Sequence, residues 1–165
     1  MQDIADACGV TKAALYYYFR NKYDLLQQLY DSVTAQFYSQ IDLIASSDEP
    51  LDLKLREAVE RQVIYSMNHG QFQKVFYQER KELTGEARKA IAVCERKYEQ
   101  TLMDIIAEGQ HLGLFRQTDP VLATMMILGL LSSVHRWVRY VGLDKDRVVE
   151  GIVDQVMKGI LAGGH

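Results

Sequence analysis

The sequence predicts an all-α protein. Across most of its 165 residues, apolar side chains recur at intervals of three and four, the spacing of helices with one buried face. Pro50 and Pro120 follow the polar segments SSDE and QTD, a pattern typical of helices that begin at the proline. Glycines separate the periodic segments: Gly9, Gly70, Gly85, Gly113 and Gly142. The predicted helices cover residues 1–8, 11–18, 22–46, 50–68, 71–83, 86–112, 120–140 and 145–161.

The first two predicted helices are short and are separated by a tight turn at Gly9. Apolar Ile4 and Ala5 on the first helix can pack against Leu15 and Phe19 of the second, which predicts a helix-turn-helix. Thr11 is placed to cap the second helix, so that the positive end of that helix can face an anion such as a phosphate.

The second helix carries a run of aromatic residues that its packing does not require. With Leu15 and Phe19 turned inward, the outer surface holds Lys12, Ala13, Tyr16, Tyr17 and Tyr18. On DNA, small side chains let a helix enter the major groove, while tyrosine hydroxyls and lysine reach phosphates or base edges. Ordinary packing between helices is the alternative for any single tyrosine.

The charge distribution bears on a nucleic-acid partner. The formal net charge of −3 argues against one, and the first 48 residues contain more aspartates than cations. The segment 11–23, however, contains Lys12, Arg20 and Lys22 and no acidic residue. The positive charge of this segment therefore favours binding to a phosphate backbone.

The longer helices that follow predict a bundle. The strongest period lies in the helix after Gly85, at Ala87, Ile91, Cys94, Tyr98, Leu102, Ile105, Gly109 and Leu112. We expect its charged residues, Arg88, Glu95, Arg96 and Glu99, to occupy the opposite, solvated face. The segment ATMMILGLLSSVHRW (123–137) is apolar around most of its circumference, and the last helix repeats aliphatic residues at helical spacing.

Several classes of protein are excluded. Cys8 and Cys94 lie far apart without metal-ligand spacing, so a reduced, cytoplasmic setting without a metal is expected. The longest apolar run, 121–131, is too short to span a bilayer. Glu108 and His111 form a Glu-x-x-His pair without the second copy that a di-iron centre needs. No nucleophile–base–acid set or phosphate-binding loop is present, so neither an enzyme nor a cofactor is predicted.

The segment IADACGVTKAALYYYFRNKYDLL resembles the DNA-binding motif of the tetracycline-repressor (TetR) family, I-A-x-x-x-G-V-[ST]-x-x-x-L-Y-x-H-F-x-x-K-x-x-L. The matching residues are Ile4, Ala5, Gly9, Val10, Thr11, Leu15, Tyr16, Phe19, Lys22 and Leu25, while Tyr18 replaces the usual histidine. The resemblance implies a dimeric repressor that a small molecule releases from double-stranded operator DNA. The implied DNA-binding residues are Thr11, Lys12, Ala13, Tyr16, Tyr17, Tyr18 and Lys22.

The resemblance also implies a division of the chain. Residues 1–46 would form the DNA-binding domain with a linking helix, and the family's first helix would be missing, because this sequence begins inside the second. Residues 47–165 would form the ligand-binding and dimerisation domain. The last two helices would pair with those of a second subunit. The candidate interface residues are Gly129, Ser133, Val149, Val153, Val156 and Ile160.

The segments FYQERKEL and HRWVRYVG resemble the branch of the family that responds to acyl-CoA thioesters. The candidate ligand-binding residues are Phe72, Phe76, Arg80, Met103, Met126, Arg136 and Arg139. Plain core packing of the apolar residues and a solvated face for the arginines are the alternatives. His111 and His135 have the same two interpretations, as ligand groups or as ordinary helix residues. A multidrug-sensing repressor and a dimeric ligand-binding protein without DNA binding are the alternative functions.

Overall fold

The computed structural model describes residues 1–83 and 85–163. Within them the chain forms eight α-helices in the predicted order: α1 (Gln2–Cys8), α2 (Lys12–Tyr18), α3 (Lys22–Ser46), α4 (Leu51–Asn68), α5 (Gly70–Glu79), α6 (Gly85–His111), α7 (Pro120–Trp137) and α8 (Lys145–Ile160). A short 3-10 helix, Arg80–Glu82, follows α5. The described residues contain no β-strand, only an isolated bridge between Phe115 and Leu161. The all-α prediction is confirmed.

The helix-turn-helix forms for the local reasons that its sequence suggests. Gly9 adopts the left-handed conformation with φ +66°, which a residue with a side chain rarely adopts, and it ends α1. The Thr11 hydroxyl accepts a hydrogen bond from the Ala14 N–H at 3.1 Å and so caps α2. Asn21 caps α3 in the same way, accepting from the N–H groups of Tyr23 and Asp24.

Some helix boundaries differ from the predicted ones. Pro50 precedes α4 as its N-cap and is not the first helical residue, whereas Pro120 begins α7 as predicted, with the Asp119 carboxylate capping the helix. The α-helical geometry of α5 ends at Glu79, where the backbone tightens into the 3-10 helix. Helix α7 ends at Trp137, three residues before the predicted position.

Helix α4 lies at the centre of the bundle, in contact with α3, α5, α6, α7 and α8. Leu55, Val59 and Val63 on α4 are fully buried, and they belong to the same core as Ile106 of α6 and Leu131 of α7. A second, smaller core joins the start of α3 to α5 and α6 and contains Leu26, Tyr30, Phe76, Leu83 and Ile91. The second core therefore connects the helix-turn-helix end of the chain to the bundle.

The buried face of α6 is rotated slightly from the predicted one. Ile91, Tyr98 and Leu102 are buried as expected, but Cys94 is exposed and Leu112 is 60% exposed. Glu95 and Glu99, predicted to face solvent, are half-buried and line a cavity. A 3.6-residue period places positions 94 and 95 on either side of the buried stripe, and packing against α3 selects the side of Glu95.

None of the described helices combines the length and the hydropathy that crossing a bilayer would require. The described residues also contain no cluster of side chains that could hold a metal ion.

Candidate DNA-binding surface and effector cavities

The outer surface of α2 is exposed and aromatic. Tyr16, Tyr17 and Tyr18 are 47%, 82% and 71% exposed, whereas Leu15, on the opposite side of the helix, is buried. Lys12 and Ala13 are exposed on the first turn, and the Lys12 ammonium lies 6.0 Å from the centre of the Tyr16 ring. The structure thus brings the predicted residues of α2 onto one accessible surface, as docking into a DNA groove requires.

Lys22 connects this surface to the bundle. Its ammonium lies 2.6 Å from the carboxylate of Glu79, the last residue of α5. Both side chains are partly exposed, so the pair contributes little to stability. The ion pair matters because of its position. It joins Lys22, which is predicted to contact a DNA phosphate, to the last residue of α5.

A cavity of about 330 Å³ lies between α3, α4, α5, α6 and α7, and we call it the aromatic cavity. Its wall consists of Tyr30, Thr34, Phe37, Tyr38, Gln62, Tyr65, Phe72, Gln73, Phe76, Tyr77, Glu95, Tyr98, Glu99, Met125, Leu128, Gly129 and Ser132. The Tyr30 ring stacks on Phe76 at 4.6 Å, and Phe76 stacks on Phe72 at 5.6 Å. The stack joins α3, the helix that follows α2, to α5.

Some polar atoms of the aromatic cavity have hydrogen-bond partners and others do not. The hydroxyls of Tyr30 and Tyr38 share a hydrogen bond at 3.1 Å. The Tyr98 hydroxyl and the Gln62 amide oxygen are buried without a partner in the described part of the chain. Burial raises the pKa of Tyr30, Tyr38 and Tyr98. These phenols therefore remain protonated at neutral pH.

Two carboxylates reach the same wall. Arg80 donates two hydrogen bonds to Glu95, at 3.1 and 2.9 Å, and its guanidinium lies 5.8 Å from the centre of the Phe76 ring. Glu99 forms no ion pair within the described residues. The Glu99 carboxylate therefore disfavours a negatively charged ligand group in the aromatic cavity, whereas the charge of Glu95 is compensated by Arg80.

A second cavity, of about 610 Å³, adjoins the first and is cationic. It is lined by Gly70, Gln71, Lys74, Tyr77, Gln78, Ser132, His135, Arg136, Arg139 and Tyr140, and we call it the cationic cavity. Tyr77 and Ser132 line both cavities. Lys74, Arg136 and Arg139 form no ion pairs within the described residues. Burial lowers the pKa of His135, and the neighbouring arginines act in the same direction, so this imidazole is neutral at pH 7.

The structure separates the predicted ligand-binding residues into groups. Phe72 and Phe76 line the aromatic cavity, and Arg136 and Arg139 line the cationic one. Arg80 adjoins the aromatic cavity through Glu95. Met103 lines neither cavity. Met126 is 67% exposed and lines a different groove, so the structure does not bring it together with Phe72.

Sequence reasoning missed most of the aromatic wall. Tyr30 and Tyr38 lie on α3, which was assigned from the sequence to the DNA-binding domain and not to a ligand site. Gln62 lies on α4 and Tyr98 on α6, and neither was predicted to line a cavity. The recurrence of aromatic residues on α3 is a signal in the sequence, but core packing would produce the same pattern.

The predicted dimer residues also separate. Val153, Val156 and Ile160 are buried in the protomer, where they belong to its main core, so they do not form an exposed face. Val149 and Ser133 are half-buried, and Gly129 is exposed beside the aromatic cavity. The structure differs here from the predicted interface because the aliphatic stripe of α8 packs against α4 of its own subunit.

An exposed apolar groove lies beside these buried residues. Leu122, Met126 and Leu130 of α7 are 59%, 67% and 40% exposed, and with Gln155 and Gly159 of α8 they form what we call the α7–α8 face. Apart from the local backbone of α8, no heavy atom lies within 4 Å of a Cβ built at Gly159, so another helix can approach there closely. An apolar surface of this kind is typical of an interface.

Comparison with known proteins agrees with this geometry. Residues 1–29 match the family model of the bacterial regulatory proteins of the tetR family, and residues 48–160 match that of the tetracyclin repressor-like C-terminal domain. The chain is 24% identical over 173 residues to a probable HTH-type transcriptional regulator, ArpR, of Pseudomonas putida. That match covers 90% of this chain and 81% of the relative.

Two solved structures extend the comparison. A regulator of the TetR/AcrR family from Thermobifida fusca matches with 28% identity and a TM-score of 0.80, over 96% of this chain and 85% of that one. AibR, solved in complex with isovaleryl coenzyme A and operator DNA, matches with 26% identity and a TM-score of 0.81, over 93% of this chain and 84% of that one. The two family models together span both halves of the chain. The chain therefore belongs to the TetR family of transcriptional regulators.

Proposed function

We propose that this protein is a dimeric repressor that a small-molecule effector, an acyl-CoA thioester, releases from operator DNA. The observation that carries the proposal is the junction of the two cavities at Tyr77 and Ser132. One cavity is walled by aromatic rings and the other by cations without acidic partners in the described chain. An amphiphilic anion, with an uncharged acyl end and a phosphate-bearing end, fits such a pair.

The cationic cavity accounts for the anionic end. Arginine forks match phosphate oxygens in geometry, and Arg136, Arg139 and Lys74 all border this cavity. The Glu99 carboxylate, which forms no ion pair within the described residues, disfavours negative charge in the aromatic cavity, and this orients the ligand with its acyl group inward. The binding of isovaleryl coenzyme A by AibR, a relative of 26% identity, supports the same class of effector.

Helix α3 supplies the mechanical connection to DNA. It begins at Lys22, four residues after the end of α2, and its residues Tyr30, Thr34 and Tyr38 wall the aromatic cavity. A ligand that displaces Tyr30 therefore acts on the helix next to the recognition helix. In a dimer, a small rotation of α3 changes the separation of two recognition helices that must match major grooves about 34 Å apart. The effector shifts the population toward the form that no longer fits.

A second candidate, a repressor that senses cationic or multidrug ligands, is favoured by one observation. Glu95 and Glu99 line a cavity rich in aromatic rings, which suits an organic cation. The pairing of Glu95 with Arg80 weakens this candidate, because the guanidinium already compensates that charge.

Acyl-CoA thioesters of increasing chain length are expected to bind with rising affinity until the aromatic cavity is filled. Each buried CH₂ contributes about 0.8 kcal/mol, roughly a fourfold change in affinity. Calorimetry measures the binding, and fluorescence anisotropy of labelled operator measures the release of DNA. An Arg136→Ala/Arg139→Ala variant should need more thioester for release while its affinity for DNA is unchanged. If a cationic dye releases DNA and no thioester does, the second candidate is correct.

A Glu79→Gln variant is expected to bind operator about threefold more tightly than the wild type. The substitution removes the carboxylate that competes with a DNA phosphate for the Lys22 ammonium, and a partly exposed pair contributes under about 1 kcal/mol. The matched control is Glu57→Gln, which removes the same charge from the exposed ion pair with Arg61 on α4. Equal changes in both variants, measured by anisotropy at several salt concentrations, would mean that only net charge matters.

A further inference from the structure

Two buried polar side chains of the aromatic cavity each have an atom without a hydrogen-bond partner. Gln62 is 9% exposed and Tyr98 is 8% exposed, and both line this cavity. Neither the Gln62 amide oxygen nor the Tyr98 hydroxyl has a hydrogen-bond partner in the described residues. Buried polar atoms are nearly always paired, so each such exception needs an explanation.

The two atoms require different partners. An amide oxygen accepts a hydrogen bond, so the group that satisfies Gln62 must donate one. The Tyr98 phenol stays protonated because burial raises its pKa, so its hydrogen is available to an acceptor. A ligand hydroxyl can do both, because its hydrogen donates and its oxygen accepts. A hydrocarbon chain would leave both atoms unpaired.

The remainder of the wall suits a ring. Tyr30, Phe76 and Phe72 form a nearly parallel stack, with interplanar angles of 26° and 24°. Phe37 meets the Tyr98 ring edge-on at 5.3 Å and lies 4.7 Å from Tyr65, which is one turn along α4 from Gln62. Flat aromatic groups gain from such neighbours beyond the area that they bury. The side chains that carry the two unpaired atoms thus belong to the same cavity wall as the aromatic rings.

We propose that the group held by the aromatic cavity is an uncharged hydroxyaryl acyl group, whose hydroxyl pairs with Gln62 and Tyr98. The proposal rests on the proposed function, since it specifies the acyl part of the thioester. It excludes straight-chain fatty acyl groups as the preferred ligands. A site built to pair with a hydroxyl rejects the analogue without it, because the polar atoms of the site then stay buried and unsatisfied.

Three thioesters with eight-carbon acyl groups test the proposal: 4-hydroxyphenylacetyl-CoA, phenylacetyl-CoA and octanoyl-CoA. Isothermal titration calorimetry on the wild type is expected to give at least about tenfold tighter binding for the hydroxylated thioester than for phenylacetyl-CoA. Octanoyl-CoA should bind more weakly than both. Gln62→Leu and Tyr98→Phe should each reduce the preference for the hydroxyl to less than about threefold. Gln100→Leu, at an exposed position of α6 outside both cavities, is the matched control and should keep the full preference.

The comparison of the three thioesters on the wild-type protein tests the proposal even if a variant fails to fold. If octanoyl-CoA or phenylacetyl-CoA binds as tightly as the hydroxylated thioester, the hydroxyaryl proposal is wrong and the acyl-CoA function stands. The neutral methyl esters of 4-hydroxyphenylacetate and phenylacetate separate the two ideas further. If only these esters bind, with the hydroxylated one tighter, the hydroxyaryl proposal holds and the thioester class is wrong. If no probe binds, both are wrong.

Discussion

A Lys12→Glu variant is expected to lose about a hundredfold or more in affinity for operator DNA. Lys12 is exposed on the first turn of the recognition helix, and a glutamate there would meet phosphates or acceptor atoms of the bases. The loss of one good contact costs about 1–3 kcal/mol, and a dimer loses the contact twice. The slope of log affinity against log salt should become less steep by about two, since two phosphate contacts disappear.

The matched control is Lys89→Glu, which makes the same change of net charge at an exposed position of α6. Fluorescence anisotropy with DNA selected by the protein from a random-sequence pool measures both variants. Lys89→Glu should retain affinity within about threefold at moderate salt, because salt screens an exposed charge that makes no contact with the DNA. Equal losses in the two variants would contradict a specific role for α2.

A double variant, Met126→Glu/Leu130→Glu, is expected to be a monomer and to lose most of its affinity for operator. Both side chains are exposed on the α7–α8 face, so glutamates there are tolerated in the protomer but would be buried and unpaired in a dimer. Each unpaired buried charge costs several kcal/mol. Light scattering at micromolar concentration measures the mass, and anisotropy measures the accompanying loss of DNA binding.

Val93→Glu is the control for this experiment, since Val93 is 62% exposed on α6, away from the α7–α8 face. It should remain dimeric with unchanged affinity for DNA. A double variant that stays dimeric would show that subunits pair through another surface, and a monomeric wild type would contradict the proposed dimer altogether.

The DNA-binding end of the fold was predictable because its signals are local. The turn depends on the conformational freedom of Gly9 and the start of α2 on the hydroxyl of Thr11, which bonds to an amide three residues away. The exposure of Tyr17 follows from its position opposite Leu15. The prediction of a non-enzymatic regulator of the TetR family is also confirmed, by matches in both halves of the chain.

The two cavities and the α7–α8 face could not be predicted from the sequence. Periodicity predicts that Val153 packs against an apolar surface. The same helical spacing is found in residues of a protomer's own core and in residues of a subunit interface, and Val153 belongs to the core. The aromatic cavity gathers Tyr30, Gln62 and Tyr98 from three helices, and only tertiary packing decides which of their faces meet. Glu95 was misplaced because one position around a helix separates the solvated face from the cavity wall.

The central claim is that a ligand in the two cavities releases the protein from DNA through α3. The most direct measurement is the affinity of the wild type for its operator, by anisotropy, with and without 4-hydroxyphenylacetyl-CoA and octanoyl-CoA at concentrations that calorimetry shows to be saturating. The bound thioester is expected to lower the affinity for operator at least about tenfold, a coupling free energy of about 1.4 kcal/mol or more. Unchanged affinity for operator, with bound thioester verified in the same sample, would contradict the account.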